Sequence, residues 1–144
     1  MNRVYGCYLK MHNSKCRFYR RLIEVFLRIV FSCDIPAQVK IGRNCKFAHN
    51  ALGVVIHPEA IIGDNCKIGQ NVTIGGRSGI TVLPVIEDNV EIGANALILG
   101  PIRVGRGSII GAGSVVVKDV PPFSVVVGNP GRVIKVIKNT KNGI

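Results

Sequence analysis

The chain has 144 residues, enough for one domain with its own core and too few for two. With 47% apolar and 19% charged residues it is not a disordered chain. The net charge of +11 raises the question of nucleic acid, but the excess sits at the ends: residues 1–33 carry seven Lys/Arg against one Glu, residues 34–129 eight against seven, and residues 130–144 four against none. The nearly neutral middle has only Phe47 and Phe123 as aromatics. A basic stripe with rings to stack on bases is absent, so no nucleic-acid partner is expected.

Residues 1–32 hold six of the eight aromatics, and Lys15–Phe31 contains neither glycine nor proline. This stretch is expected to be a helix, with Asn13 or Ser14 as N-cap. Its expected role is to cap the open end of the fold that follows. The alternative is a helix lying on a membrane surface, because arginines alternate with Phe and Leu, so peripheral membrane contact through residues 15–31 stays open. The longest apolar run, Leu22–Phe31, is interrupted by Glu24 and Arg28 and falls short of the roughly 20 residues that cross a bilayer. No small-residue cleavage site follows it, and the five cysteines show no CxxC spacing. A cytoplasmic, reducing location is expected.

The middle of the chain repeats every six residues. From Ile56 the series runs Ile62, Ile68, Ile74, Ile80, Ile86, Ile92, Ile98, Val104, Ile110 and Val116. Glycine follows at 63, 69, 75, 93, 105 and 111, and a small residue stands four places on at Ala60, Cys66, Ser78, Ala96, Ser108 and Ser114. A period of six suits neither a helix nor a single strand. It suits a three-sided prism in which each face is one short strand, the aliphatic points inward and glycine eases the corner. An earlier copy starts at Ile41-Gly42 and continues at Phe47, after which the register breaks before Ile56. The expected organisation is a helical cap over 1–33, a coil over 34–122 with between four and five turns over 39–122, and a basic C-terminal tail over 123–144, extended or weakly helical after Arg132.

Acid–base chemistry near neutral pH points first to histidine, and there are three. His12 is expected on the surface and His57 at a corner before Pro58. His49 lies in Phe47-Ala48-His49-Asn50-Ala51-Leu52-Gly53, where the repeat fails and a side chain can be aimed; a loop histidine without a role is the plain alternative.

The residues Cys33-Asp34-Ile35-Pro36, Ile41-Gly42, His49, Gly53-Val54-Val55-Ile56, Ile74-Gly75-Gly76 and Ile110-Gly111-Ala112-Gly113-Ser114-Val115-Val116 resemble the serine O-acetyltransferase branch of the hexapeptide-repeat acyltransferases. Val120-Pro121-Pro122 and Gly128-Asn129-Pro130 strengthen the wider acyltransferase resemblance, which covers about residues 33–137. It implies an all-β, left-handed parallel β-helix and acetyl-CoA as acyl donor, without a metal. It also implies a homotrimer with its sites between subunits. In this resemblance His49 is the general base on a hydroxyl and Asp34 orients its ring. Ala94, Gly111 and Ala112 would contact the pantetheine arm, and Lys118, Arg132 and Lys135 are candidates for the CoA phosphates. Backbone N–H groups of Gly75 and Gly76 are the best candidates for the oxyanion, and Asn50 and Arg77 could face the acceptor.

Three departures bear on the acceptor. The family has Asp before its catalytic histidine, where this chain has Ala48. It has Arg-His-Pro after its Gly-Gly loop, where this chain has Val82-Leu83-Pro84, and the family's long N-terminal helical domain is replaced by about 32 residues. Losing the charges that grip a zwitterion favours a sugar hydroxyl, as in polysaccharide or exopolysaccharide synthesis, over serine. A γ-type carbonic anhydrase needs three metal-binding histidines and the body has two, so that reading fails; a non-catalytic scaffold stays open.

Overall fold

Each hexad folds into a strand of two or three residues and a corner. The structure, a computed structural model, describes residues 3–137, so Lys138 and Lys141 of the basic tail lie outside the described residues. The first coil holds β1 (Lys40–Ile41), β2 (Lys46–Phe47) and β3 (Val55–Ile56), and the second β4 (Ile61–Ile62), β5 (Lys67–Ile68) and β6 (Thr73–Gly75). The third holds β7 (Val85–Ile86), β8 (Glu91–Ile92) and β9 (Leu97–Leu99), and the fourth β10 (Arg103–Val104), β11 (Ile109–Ile110) and β12 (Val115–Val116). Equivalent strands of successive coils pair in parallel, giving the faces β1-β4-β7-β10, β2-β5-β8-β11 and β3-β6-β9-β12 of a β-solenoid.

Where the repeat is unbroken, paired rungs are 18 residues apart, as Glu91 and Ile109 or Leu97 and Val115. Two insertions break this. Lys46 pairs with Lys67, 21 residues on, because three extra residues lie between β2 and β3. Lys67 pairs with Glu91, 24 residues on, because six lie between β6 and β7. The second insertion is one hexad long, so a count by sixes runs through it unnoticed. Ile80 and Ser78, expected inward, are therefore on an exposed loop, Ile80 at 40% exposure.

The prism interior is a stack of Ile56, Ile62, Ile68, Ile74, Ile86, Ile92, Ile98 and Ile110, interleaved with buried Ala60, Cys66, Ala96, Ser108 and Ser114. Bulky and small residues alternate because a three-sided tube has room for only one large side chain per face at each level. Corner glycines let the coils touch. A Cβ on Gly69 would lie 2.6 Å from the Ala94 nitrogen, and one on Gly93 equally close to that of Ala112. Cys45 and Cys66 occupy inward slots, as expected, and all five cysteines are free. Burial pushes the Cys33 thiol up to about 11, so it is inert at neutral pH.

Two helices precede the coil, α1 (Arg3–Asn13) and α2 (Arg17–Phe31). The cap over the first coil is α1, which the glycine-free stretch did not announce. Its Val4, Tyr5, Tyr8 and Met11 recur at helical spacing and are buried. Tyr8 donates its hydroxyl to the Val39 carbonyl at 2.8 Å and accepts the Ile41 N–H at 3.2 Å; Tyr5 donates to the Gly42 carbonyl at 2.7 Å. His12 is exposed, as expected, yet its ring lies against Tyr8 and its Nδ1 is 2.9 Å from the Ala37 carbonyl oxygen. The expected capping helix is α2, and it buries only Leu27 fully. It starts at Arg17, after a Cys16 whose side chain makes no capping bond, while Asn13 belongs to α1. Ser14 accepts the Cys16 N–H, and Arg20 donates to the carbonyls of His12 and Ser14, fixing the bend between the helices.

At the other end Val120 bridges Val104, and β13 (Ser124–Val127) adds another parallel rung to β11 before turning back as β14 (Arg132–Val136). The start of the expected tail is thus part of the solenoid, and its described remainder is a strand.

Replacing Tyr8 by Phe strands the Val39 carbonyl and the Ile41 N–H at the mouth of the coil. Urea unfolding should show a loss of about 1–3 kcal/mol, with no change in the β signal of the native protein by circular dichroism.

Candidate active site

The three-residue insertion forms a tight left-handed turn over Ala48–Ala51. His49, Asn50 and Ala51 all have left-handed φ, at 48°, 54° and 59°. Such a run of non-glycine residues costs of order 1–3 kcal/mol each and persists where the surroundings impose it, commonly at working sites. His49 is exposed, and its ring makes no hydrogen bond among the described residues.

The register then places this turn. Phe47 pairs with Ile68, Ile68 with Ile92, Ile92 with Ile110 and Ile110 with Val126. The residue after each therefore lies on one edge of the prism: Ala48, Gly69, Gly93, Gly111 and Val127. His49 stands at the head of this column of small residues. Ala94 and Ala112 follow in the same corners, against Gly69 and Gly93. A shallow groove beside the column is lined by Ala48, Gly69, Gly93, Lys46, Lys67 and Glu91. Arg132 pairs with Val127 at the foot of the column and Lys135 with Val125, two residues before it. Four rungs at about 4.8 Å separate head and foot by roughly 19 Å.

A second edge collects other predicted residues. Ile56 pairs with Ile74 and Ile74 with Ile98, so His57, Gly75 and Leu99 share it, and the register of β9 with β12 continues it to Val117, just before Lys118. The six-residue insertion leaves from this edge. Its turn, Arg77 to Ile80, closes by an Ile80 N–H to Arg77 carbonyl bond at 3.0 Å, and Leu83 folds over Gly76. An open cleft here is lined by His57, Glu59, Gly76, Arg77, Ile80, Thr81 and Leu83. His57, expected as a bare corner residue, accepts the Glu59 N–H on Nδ1 at 3.2 Å, which leaves Nε2 as its protonated nitrogen. Its place beside Arg77, with Glu59 and Thr81, was missed. The 18-residue spacing from His57 to Gly75 is the signal that finds it.

One chain thus carries the predicted residues on two edges. His49, Asn50, Ala94, Gly111, Ala112, Arg132 and Lys135 belong to the first, and Gly75, Gly76, Arg77 and Lys118 to the second. Asp34 has a partner that was not foreseen. Its backbone joins the first coil, bonding Val54 and Ile56, while its carboxylate takes Arg28 of α2 at 2.9 and 3.0 Å from Nη2 and 3.3 Å from Nε. No hydrogen bond links Asp34 to His49 among the described residues. The ion pair is solvated, with side chains 59% and 37% exposed, and so exchanges at little cost. Among the described residues no three His, Cys, Asp or Glu side chains gather to hold a metal ion.

Comparison with known proteins supplies the family. The bacterial transferase hexapeptide (six repeats) model matches residues 84–118, and the hexapeptide repeat of succinyl-transferase matches residues 59–83. The serine acetyltransferase of Buchnera aphidicola is 45% identical over 80% of this chain and 45% of its own length. That of Mycobacterium tuberculosis is 46% identical over 82% of this chain and 52% of its own. The structure of soybean serine acetyltransferase complexed with serine superposes with a TM-score of 0.81 at 39% identity, covering 91% of this chain and 56% of that one. The chain belongs to the hexapeptide-repeat acyltransferase superfamily, in its serine acetyltransferase-like branch. It spans about half the length of the curated relatives it matches.

Because the Arg28–Asp34 pair is solvated, Arg28→Ala should cost less than about 1 kcal/mol in urea unfolding; a larger loss would show that the pair anchors α2 to the first coil.

Proposed function

We propose that the protein is an acetyl-CoA-dependent O-acetyltransferase acting on a small hydroxyl acceptor, with His49 as general base. The observation that carries this is the rung register, which lines up His49, the small-residue column and Arg132 along one edge. A thioester arm needs a strip where side chains do not hold it off the backbone, and Gly69, Gly93 and Gly111 provide one. Arg132 and Lys135 at the foot supply cations for phosphates, with Lys118 as a further candidate from the other edge. A serine acetyltransferase structure in complex with CoA superposes on 91% of this chain with a TM-score of 0.79 at 32% identity, which supports the donor.

In the proposed reaction the acceptor hydroxyl gives its proton to the imidazole as its oxygen attacks the thioester carbonyl. The carbonyl oxygen becomes an oxyanion, for which the N–H groups of Gly75 and Gly76 are candidates. Collapse breaks the C–S bond, the imidazolium returns the proton to the departing thiolate, and an acetyl ester and free CoA remain. Asp34, once released from Arg28, holds the ring and stabilises the imidazolium. Because His49 and the Gly75–Arg77 segment lie on different edges, the complete site is proposed to form between neighbouring subunits of a homotrimer.

The relatives above favour L-serine as acceptor, and polysaccharide synthesis receives no support from them. A sugar hydroxyl is the second reading, favoured by Ala48, Val82 and Leu83 where the family carries charge. The cleft keeps Arg77, Glu59 and His57, which could grip a carboxylate and an ammonium in place of the lost residues, so serine is the acceptor we put first.

Thiol release from acetyl-CoA, measured with L-serine beside a panel of sugars and nucleotide-sugars, decides the acceptor: turnover with serine and silence with the sugars is the expected result. His49→Ala should lower that rate by about 10²–10⁴-fold without unfolding the protein. Retention of more than about a tenth of the activity excludes His49 as the base.

A further inference from the structure

Helix α2 covers little of the coil and exposes much apolar surface. Phe18, Leu22, Val25 and Ile29 recur at i, i+4, i+7 and i+11, and Tyr19, Phe26 and Val30 fill the adjoining stripe. At 100° per residue the seven fall within one sector about 140° wide. The face that meets the protein is a different one, with Leu27 buried and Ile23 and Phe31 partly so. Phe18 and Ile29 are 72% and 75% exposed, among the most exposed large apolar residues of the described chain. A contiguous band of this kind on a surface helix marks a contact that the single chain does not supply.

The rim of the band says what that contact is. Along one edge Lys15, Arg17, Arg20 and Arg21 line an open groove beside Ala37 and Gln38. Along the other, Arg3 and Lys10 of α1 line a second groove with Phe26 and Val30. The carboxylates nearest this cap are spent on the protein itself: Glu24 accepts the Ala37 N–H at 3.2 Å, and Asp34 takes Arg28. Glu24 is the one acid lining the first groove, outnumbered there by four cations, so the stripe is framed by net positive charge on both sides. Packing it face to face on the same band of a second copy brings two such frames together across the seam. A bilayer surface bearing anionic headgroups matches it instead, with phosphates for the rim and the acyl boundary for the rings. Fifteen residues span about 22 Å as a helix, less than the roughly 30 Å hydrocarbon core, and no described helix is long and apolar enough to cross a membrane.

We propose that α2 lies flat on an anionic membrane surface, inserting Phe18, Leu22, Phe26 and Ile29 while Lys15, Arg17 and Arg21 on one side and Arg3 and Lys10 on the other meet lipid phosphates. The proposal does not depend on the acyl-transfer reading, since its readout is binding. The full chain is spun down with phosphatidylcholine vesicles, with or without about one third phosphatidylglycerol. It should pellet with the anionic vesicles at least about tenfold more than with the neutral ones, and raising the salt toward 1 M, where the Debye length shrinks to about 3 Å, should release it. The double variant Phe18→Glu/Ile29→Glu changes only exposed positions and should lose vesicle binding while keeping its solution mass by light scattering. Equal pelleting with both vesicles, or none with either, overturns the proposal. A fall in the mass of the double variant also overturns it, because the band is then a contact between subunits.

Discussion

Everything in this protein hangs on the parallel rung. The N–H that opens each strand donates to a carbonyl of the coil ahead, as Lys67 does to Val90 and Glu91 to Ser108, and each inward Ile rests on the Ile of the adjoining level. Two residues make a poor strand alone; stacked over four coils they share one core and one hydrogen-bond ladder. The same ladder makes position along the chain equivalent to position along an edge. Any residue that follows a strand of the β2-β5-β8-β11 face must stand in one column, which is why a histidine near position 49 and an arginine near position 132 share an edge of the molecule.

Such a lattice permits departures only where extra chain can leave through a corner. It does so twice. The short insertion after β2 turns His49 and Asn50 outward on a left-handed backbone, and the longer one after β6 builds the cleft around Arg77. The first departs at Ala48 and the second at Gly75-Gly76, and both expose polar groups that the interior has no use for. The remaining side chains follow one rule, with branched aliphatics and small residues inside and charges outside. Cross-rung pairs such as Arg43–Asp64 and Arg103–Glu87 hold successive corners together, and the arginine groups hold both acids below the usual carboxylate range. Chemistry on this scaffold is therefore a matter of what the two insertions present and what a neighbouring molecule places opposite them.

The architecture was legible because its period is written into eleven aliphatics, and the break in that period identified the His49 turn. The same arithmetic misplaced Ile80 and Ser78, since an insertion one hexad long leaves the count intact and only the pairing of Ile74 with Ile98 and Ile62 with Ile86 reveals it. Helix α1 escaped because Gly6 and a polar flank hide a pattern of only four buried residues, two of them tyrosines whose hydroxyls answer carbonyls far along the chain. The Arg28–Asp34 pair was equally hidden, because a left-handed residue at Ser32 turns α2 back onto the coil and no local pattern signals that contact. The preference for a sugar acceptor rested on missing charges at positions 48, 82 and 83, and it gave no weight to Glu59, which another coil brings beside Arg77.

The central claim is that a working site is assembled from the His49 edge of one subunit and the Gly76–Arg77 edge of the next. Subunit complementation tests it most directly. His49→Ala and Gly76→Val chains, each inactive alone, are unfolded together, refolded at equal concentrations and assayed for acetyl-CoA-dependent thiol release. Random mixing in a closed ring should restore about a quarter of the wild-type activity, because one junction in four pairs two intact edges. Mixed assemblies that form and remain inactive would contradict a shared site.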